Sequence, residues 1–495
     1  MLLSFVFISE FSVAQREDRN WVFGDSVGID FNNLSNLTVF FPNARNDEMT
    51  ASISDSVGNL LFYTAMKGTY AGFTYETVVN PQGQIMENGD SIENYPSASN
   101  GSIIIPMPGA YKKYYLFTTT YNYFINDVYY LKYSVIDMAL NNFNGKVVEK
   151  NILLEDSVAE QVLAIKHANG RDWWLLERKF NSDTIIKFLI SEGGISGPFY
   201  QQIGSKFYCQ VGENSVTKSG NRIAYISNYG NIDLMDFDRC SGELSNYIEL
   251  GTQPYDSVDL NGWMNYGCEF SPDGNKFYIS KWKYVSLPDT FFTSIFQFSI
   301  NCPQIANSKT EIFSSHGYWL YQLQLAPNNK IYVSGHYSPG IFLDSSYNYL
   351  SVIKSPNDSG AACDFHLFDY YLQGKSGLKG LPNMPNYNLG KLVGSPCDTL
   401  TSIQNENLKT KSSVRIFPNP ATEQLTIDNA RLPFGQGQFT ITEIEITDVM
   451  GRIIYQEQTH SHLSIIHCQL FSAGIYFVKV YMNDGSVEVR KFVKQ

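Results

Sequence analysis

The chain has 495 residues, of which 43% are hydrophobic, 15% aromatic and 17% charged, and its formal net charge is −12. This length allows two or three domains with a large core, and the acidic balance argues against a nucleic-acid partner and against a basic membrane-surface patch. The composition is rich in aromatic residues and poor in charged ones, which excludes a disordered or coiled-coil protein and favours β structure.

Residues 1–15 have the composition of an export signal peptide. Residues 1–13 are mostly apolar, and Ser12-Val13-Ala14 is a small-x-small cleavage pattern before Gln15. Because no basic residue precedes Arg16 and Glu10 interrupts the apolar run, we expect the natural start to lie upstream of Met1. The alternative is a buried N-terminal strand. No later stretch reaches the roughly 20 apolar residues of a membrane span, so no transmembrane segment is predicted.

An internal repeat occupies residues 16–397. A turn followed by an apolar-aromatic strand recurs, with strand starts roughly 50–59 residues apart, a spacing near that of a four-stranded propeller blade. The turns and their strands are Asp55–Asn59 with Leu60–Tyr63, Pro108–Ala110 with Tyr114–Phe117, His167–Gly170 with Trp173–Leu176, Lys218–Asn221 with Ile223–Ile226, Ser271–Asn275 with Phe277–Ile279, and Ala326–Asn329 with Ile331–Val333. Glu269–Gly274 resembles the hairpin of WD-type and TolB-type propeller repeats, in which Asp-Gly supplies the positive φ of a tight turn. The predicted fold is all-β, with an N-terminal β-propeller.

Six hairpins leave the number of blades open between six and seven. Strand-like segments at Trp21–Gly24, Gly28–Phe31 and Leu37–Phe41 precede the first hairpin and lack an innermost partner. Cys363–Phe368 and Tyr370–Leu372 follow the last hairpin and could supply that partner. A blade built from both ends of this region would close the ring and remove its exposed edges, so we favour seven blades.

Few residues in the repeat region suggest chemistry. Asp233, Asp236 and Asp238 could bind calcium, but the segment lacks the D-x-D-x-D-G spacing and is more typical of a strand entering a turn. Motifs for a serine nucleophile, a zinc peptidase and a phosphate loop are absent, so no catalytic residue, cofactor or metal site is predicted. Five tryptophans could stack on sugars, although packing between blades explains them equally well: Trp173, Trp174, Trp263, Trp282 and Trp319.

The C-terminal region, residues 413–495, has strand alternation typical of a β-sandwich of about seven short strands, and it follows a polar linker at residues 398–412. Its spaced motifs are Pro418-Asn419-Pro420, Asp448-x-x-Gly451-Arg452, Phe471-x-x-Gly474-x-Tyr476 and the terminal Lys491–Gln495. Their order resembles the type A C-terminal sorting domain of type IX secretion substrates in Bacteroidota, with Phe471 where the family more often has Leu. An ordinary immunoglobulin-like accessory domain is the alternative.

This resemblance implies an export route. The matching positions are recognition and folding positions: Pro418, Asn419, Pro420, Asp448, Gly451, Gly474, Tyr476 and Lys491. The implied partners are the type IX translocon and a surface sortase, and the implied location is the outer-membrane surface or the extracellular medium. The stretch from Trp21 to about Pro385 resembles the propeller-like ectodomains often fused to such sorting domains, which implies architecture only.

Asp followed by Ser or Thr and an aliphatic residue is enriched and resembles the O-glycosylation sequon of exported proteins in the same phylum. The hydroxyl residues of this pattern are Ser26, Ser56, Ser91, Ser157, Thr184, Ser257 and Thr399. The alternative is ordinary Asp-Ser turn chemistry.

The cysteines suit an oxidising compartment. Six of them lie between residues 209 and 397 and allow fifteen pairings, among which the sequence cannot choose: Cys209, Cys240, Cys268, Cys302, Cys363 and Cys397. Cys468 stands alone in the C-terminal region, so we predict that it is a buried free thiol.

Propellers present loops around one funnel, so the expected function is the binding of a glycan or protein ligand. A glycosidase-like hydrolase with acidic residues at the funnel is one alternative, and a structural or adhesive surface-layer component is another. An enzyme would bring carboxyl groups together near the axis, whereas a binding module would not.

Overall fold

The computed structural model describes residues 15–70, 73–122, 128–207, 211–251, 264–286, 289–337, 345–398, 414–429, 440–448, 452–461, 463–483 and 487–495. The chain forms two compact units, Met1–Thr401 and Ser402–Gln495. Both are built of antiparallel β-sheets, as the sequence predicts. Within the described residues the helices are single 3₁₀ turns at Asn141–Phe143, Ile305–Ser308, Ser345–Asn348 and Gly360–Cys363.

The first unit is a β-propeller, and its described residues form seven sheets, here called blades 1 to 7. Blade 1 comprises β1 (Asn20–Phe23), β2 (Val27–Asp30) and β3 (Thr38–Phe40). Blade 2 comprises β4 (Ser52–Ser54), β5 (Leu60–Tyr70), β6 (Phe73–Val79) and β7 (Ile92–Glu93). Blade 3 comprises β8 (Ser102–Pro106), β9 (Lys113–Asn122), β10 (Val128–Asp137) and β11 (Lys146–Val158). Blade 4 comprises β12 (Leu163–Lys166), β13 (Trp173–Arg178), β14 (Thr184–Ser191) and β15 (Gly194–Gln202). Blade 5 comprises β16 (Asn214–Val216), β17 (Arg222–Ile226), β18 (Ile232–Phe237) and β19 (Leu244–Gly251). Blade 6 comprises β20 (Met264–Phe270), β21 (Lys276–Ser286), β22 (Asp289–Ser299) and β23 (Thr310–His316). Blade 7 comprises β24 (Tyr318–Leu325), β25 (Ile331–Tyr337), β26 (Tyr349–Ile353) and β27 (Phe365–Tyr371).

The first strand of each blade lies innermost, around a central channel. Innermost strands of neighbouring blades contact each other: β1 with β4, β8 with β12, β12 with β16, β16 with β20, and β20 with β24. The six predicted hairpins are confirmed, and each joins the first and second strands of one of blades 2 to 7. We call the end of the ring that carries these six turns the hairpin face. Gly274 in the fifth turn has φ +71, a conformation that glycine adopts without strain.

The predicted blade built from both ends of the region is wrong. In the part of the chain that the structure describes, blade 1 consists of three N-terminal strands, and Phe365–Tyr371 pairs with β26 as the outer strand of blade 7. A β-strand pattern reveals that a strand exists but not which edge it pairs with. The described chain after β27 instead contributes a β-bridge to blade 1, between Asp25 and Ser376.

Aromatic and aliphatic side chains close the ring between blades 7 and 1. The ring centroids of Trp21 and Tyr332 are 5.9 Å apart, and those of Trp21 and Phe31 are 4.8 Å apart. Leu372 and Leu381 belong to the same buried cluster. Further clusters fill the other blade interfaces, so the closed ring buries the faces that an isolated sheet would expose to water.

The second unit is a two-sheet β-sandwich. In its described residues, one sheet has the order β28 (Val414–Phe417), β29 (Gln424–Asn429), β32 (Leu463–His467), and the other has β31 (Ile453–Ser461), β30 (Ile441–Asp448), β33 (Gly474–Met482), β34 (Val487–Lys494). Alternate residues of both sheets form one core, and Cys468 is a buried free thiol within it, as predicted.

Candidate functional site

The segment Leu372–Asp398, which we call the channel strap, runs along the central channel from the far face to the hairpin face. At the far face, Gly380 donates its N–H to the carbonyl of Asp47 at 2.7 Å. Nearby, Lys379 Nζ lies 2.9 Å from Glu48 Oε1. The strap is polar and lacks strand periodicity, so its position inside the ring was not predictable from the sequence.

Strap side chains bind the innermost parts of the blades inside the channel. Asn383 Nδ2 donates to the carbonyls of Asn100 and Val162 at 3.1 and 3.0 Å. The hydroxyl of Tyr387 donates to the Ile104 carbonyl at 2.6 Å. These bonds satisfy three buried backbone carbonyls and fix the strap to the innermost parts of blades 3 and 4.

The strap leaves the channel at the hairpin face beside blade 5. Arg239 Nη2 donates to the carbonyl of Gly390 at 2.6 Å, and Leu392 donates its N–H to the carbonyl of Ala168 at 2.7 Å. A disulfide joins Cys397 to Cys240, which lies in the turn after β18, with a Cα–Cα distance of 5.6 Å.

This disulfide is one of the fifteen pairings that the sequence left open. The other described cysteines of the propeller are free: Cys268, Cys302 and Cys363. Cys209 lies outside the described residues.

A cavity of about 330 Å³ lies between the strap and the innermost strands, towards the hairpin face. Its lining combines polar and apolar side chains from blades 1 and 3 to 7, with the strap as one wall. The residues used below are Asp18, Arg19, Trp21, Asn100, Lys218 and Glu269. This volume is at the lower end of the range for small-molecule sites.

Three polar atoms of the lining are buried without a hydrogen-bond partner: Trp21 Nε1, Arg19 Nε and Asp18 Oδ1. The Asp18 and Arg19 atoms are 3.5 Å apart, an ion pair without hydrogen-bond geometry. Burial raises the pKa of Asp18, and the charges of Arg19 and Lys218 partly offset that effect. All three atoms have almost no solvent-accessible surface in this structure.

Buried glutamates along the innermost strands join neighbouring blades instead of forming an acid pair. Glu269 Oε2 accepts the backbone N–H of Leu325 at 2.8 Å, and Glu213 Oε2 accepts that of Cys268 at 2.6 Å. Glu160 accepts a backbone N–H from the segment before blade 5. Burial raises the pKa of all three carboxyls, that of Glu269 to about 7.

The tryptophans predicted as sugar platforms or core residues fall into three groups. Trp173 and Trp174 are buried between blades. Trp282 and Trp319 are partly buried, with ring centroids 5.5 Å apart, and do not line the cavity. Trp263 lies outside the described residues. Sequence reasoning missed Trp21, which it assigned only to a strand.

The three aspartates considered for calcium have separate partners. Asp233 is fully buried, and its Oδ2 lies 3.3 Å from Arg178 Nη1. Asp236 pairs with Arg222, and Asp238 accepts the N–H of Cys240 in its turn. Across the residues that the structure describes, no three His, Cys, Asp or Glu side chains are grouped to hold a metal ion.

Most of the sorting-signal positions lie near the last two strands of the sandwich. Asn419, between Pro418 and Pro420, donates from Nδ2 to the carbonyl of Lys491 at 3.1 Å and accepts the N–H of Val493 at 2.9 Å. These two bonds fasten the turn after β28 to the final strand.

The other sorting-signal positions surround the start of β33. Asp448 pairs in register with Tyr476, whose ring stacks on Phe492 with centroids 5.5 Å apart. Gly474 begins β33, and Gly451 lies outside the described residues.

The predicted glycosylation positions vary in accessibility. Ser56 and Ser91 are exposed, whereas Ser26, Ser157 and Thr184 are half-buried. Ser257 and Thr399 lie outside the described residues. Modification at these sites stays a prediction, as does the signal peptide, because residues 1–14 also lie outside the described part.

The second unit matches a known family. Residues 415–495 match the model of the secretion system C-terminal sorting domain. These residues carry a type IX sorting signal. The sorting domain implies interaction with the type IX machinery and export to the cell surface or the extracellular space. Among the described residues, no helix has the length and hydrophobicity that crossing a bilayer requires.

Solved structures with some similarity share low identity with this chain. A putative 6-phosphogluconolactonase from Bacteroides fragilis is 14% identical, with a TM-score of 0.33 over 65% of this chain and 96% of that one. PorZ, a surface component of the type IX secretion system of Porphyromonas gingivalis, is 10% identical, with a TM-score of 0.20 over 97% of this chain and 81% of that one. The propeller domain of Myceliophteria thermophila Cps50 (Swd1) is 10% identical, with a TM-score of 0.33 over 64% and 94%. No curated protein matches the sequence significantly, and these similarities carry no inference about activity.

Proposed function

We propose that this protein is a type IX secretion substrate whose propeller binds a glycan in the cavity beside the channel strap. The observation that carries the proposal is the set of buried polar atoms without partners, Trp21 Nε1, Arg19 Nε and Asp18 Oδ1, in the lining of one cavity. After export, the translocon and a surface sortase are the proposed partners of the sorting domain.

A sugar hydroxyl suits this set of atoms because it donates one hydrogen bond and accepts others at the same time. It would accept from Trp21 Nε1 or Arg19 Nε and donate to Asp18 Oδ1. An unpaired buried polar group costs about 1–3 kcal/mol, so a ligand that pairs these groups regains that free energy on binding. The remaining lining, rich in amides such as Asn100, offers further donors and acceptors.

Binding is favoured over hydrolysis by the state of the carboxyl groups. A glycosidase needs two carboxyls free to face the scissile bond. Among the described residues, the acidic side chains of the lining are Asp18 and Glu269. Both oxygens of Glu269 accept hydrogen bonds, from Ser215 and Phe270 on one side and from Leu325 on the other. Among the described lining residues, Asp18 therefore has no second free carboxyl group with which to form a glycosidase pair.

The test is binding of the purified, oxidised chain to a glycan array, followed by calorimetric titration of the best glycan and an assay for released sugar. Trp21→Phe removes the indole N–H but keeps an aromatic ring in the core. We expect it to weaken binding about tenfold, the equivalent of about 1.4 kcal/mol.

Trp282→Phe is the matched control, because Trp282 Nε1 is also unpartnered but lies outside the cavity lining. It should leave the affinity unchanged. An array without binding, or equal affinities of Trp21→Phe and the native chain, would refute the proposal, and released sugar would favour the hydrolase.

A further inference from the structure

The channel strap forms part of the proposed binding cavity. Asn383, Met384, Asn386 and Asn388 line it, and none of them belongs to a blade. The blades alone would therefore leave this side of the cavity open. The integrity of the cavity depends on the strap remaining in the channel.

The strap is held unequally along its length. Its middle part is firmly packed, since Tyr387 is 1% exposed and hydrogen-bonded inside the channel. Towards the exit, Leu392 and Val393 are 45% and 77% exposed, so they contribute little apolar burial. Among the described contacts, this part of the strap is held by hydrogen bonds with Arg239 and Ala168, by the packing of Leu389 and by the disulfide.

Hydrogen bonds hold Cys240, the disulfide cysteine of blade 5, in place. Cys240 accepts a hydrogen bond at its carbonyl from His167 Nε2 at 3.0 Å if that nitrogen is protonated, and its N–H is bound by Asp238 Oδ1 at 2.8 Å. The adjacent Arg239 is buried, with its guanidinium bonded to the carbonyls of Lys166 and Gly390. A weakly packed exit is thus bonded covalently to a well-fixed turn of blade 5.

We propose that the Cys240–Cys397 disulfide is a latch that holds the exit of the strap, residues 388–397, at the hairpin face, so that the wall of the cavity at Asn388 is fixed only in the oxidised protein. The statement about binding rests on the proposed function, whereas the latch itself does not. Forming the bond removes two electrons and two protons from the two thiols. An acceptor disulfide, such as that of an oxidising dithiol protein, takes them up and becomes two thiols.

The latch also isolates the cavity from the C-terminal side of the chain. Cys397 is the penultimate described residue before the segment that leads to the sorting domain. A pull on that segment passes through Asp398 to Cys397 and then through the disulfide to blade 5, before it reaches the strap residues that line the cavity. In the reduced protein the same pull acts on Leu392 and then on Tyr387.

Hydrogen–deuterium exchange of the full chain, oxidised and treated with a phosphine reductant, tests the latch without any ligand. We expect amides of residues 388–397 to exchange at least about tenfold faster in the reduced protein, while β13 and β21 keep their protection. The Cys240→Ser/Cys397→Ser double variant should behave like the reduced chain. Cys302→Ser, which removes a free thiol on blade 6, should behave like the oxidised chain.

Equal exchange of the strap in both states would refute the latch, and so would loss of protection in β13 and β21 together with the strap, because the disulfide would then support the whole ring. If glycan binding survives reduction while the strap exchanges faster, the coupling to the cavity is refuted. If the strap is released but no glycan binds even to the oxidised chain, the latch stands and the proposed function fails.

Discussion

Replacing Glu76 by Gln should stabilise the protein at high pH and change little at low pH. Glu76 lies on β6 of blade 2 with 0% of its surface exposed. Neither carboxyl oxygen has a hydrogen-bond partner of good geometry, although the side chains of Thr64 and Asn94 are near enough to favour the charged form slightly. Burial raises the pKa of this carboxyl from 4.5 to about 8.

The direction and size of the change in unfolding free energy with pH follow from this raised pKa. In the unfolded chain Glu76 loses its proton near pH 4.5, whereas in the folded protein it keeps the proton up to about pH 8. Its favourable contribution to folding is therefore complete below pH 4.5 and falls as pH rises through this window. Each pH unit inside the window costs about 1.4 kcal/mol, so the full loss is about 5 kcal/mol by pH 8.

The assay is denaturant unfolding of the native chain and of Glu76→Gln at pH 5, 6.5 and 8. The difference in unfolding free energy should grow in favour of the variant by about 1.4 kcal/mol per pH unit, because the other buried carboxyls contribute equally to both proteins. Glu149→Gln, at an exposed site on β11, controls for the loss of one acidic side chain. A difference that does not change with pH would contradict this expectation, because it would show that Glu76 is ionised in the folded protein.

Three further outcomes are expected. Arg178→Met should lower the unfolding free energy by about 3–5 kcal/mol, measured by denaturant midpoints, because Asp233 would be left buried without its charge partner; an effect below 1 kcal/mol would contradict this. Tyr476→Ala should cost the sorting domain about 3 kcal/mol by removing a buried ring, and should reduce the amount of exported protein in cell fractionation; unchanged export would separate folding from recognition. Peptide mapping without reductant should recover Cys240 linked to Cys397, and a different linkage would show that the strap leaves the channel elsewhere.

Most of the fold prediction rested on turn-forming residues that lie close together in the sequence. The hairpins at Asp55–Asn59 and Ser271–Asn275 were predictable because Asp, Asn and Gly encode tight turns within a few residues of sequence. The partner of Phe365–Tyr371 was not predictable, because an amphipathic strand fits several sheet edges equally well. In the structure it pairs with β26 of blade 7.

The candidate site was less accessible to sequence reasoning. Trp21 looked like any core tryptophan, and its unpartnered N–H depends on which residues pack around it. Asn383 and Tyr387 lie in a segment without periodicity, where a channel lining and a surface loop have the same appearance. The choice of Cys240 and Cys397 from six cysteines likewise needed the path of the strap.

The hydrophobic cluster at the closure of the ring sets an order of folding. It combines Trp21 and Phe23 of blade 1 with Tyr332 of blade 7 and with Leu381 of the strap. During synthesis, therefore, blade 1 cannot complete its packing until residues more than three hundred positions later have been made. Contacts of such sequence separation form slowly. Until Leu381 is available the ring cannot complete this interface.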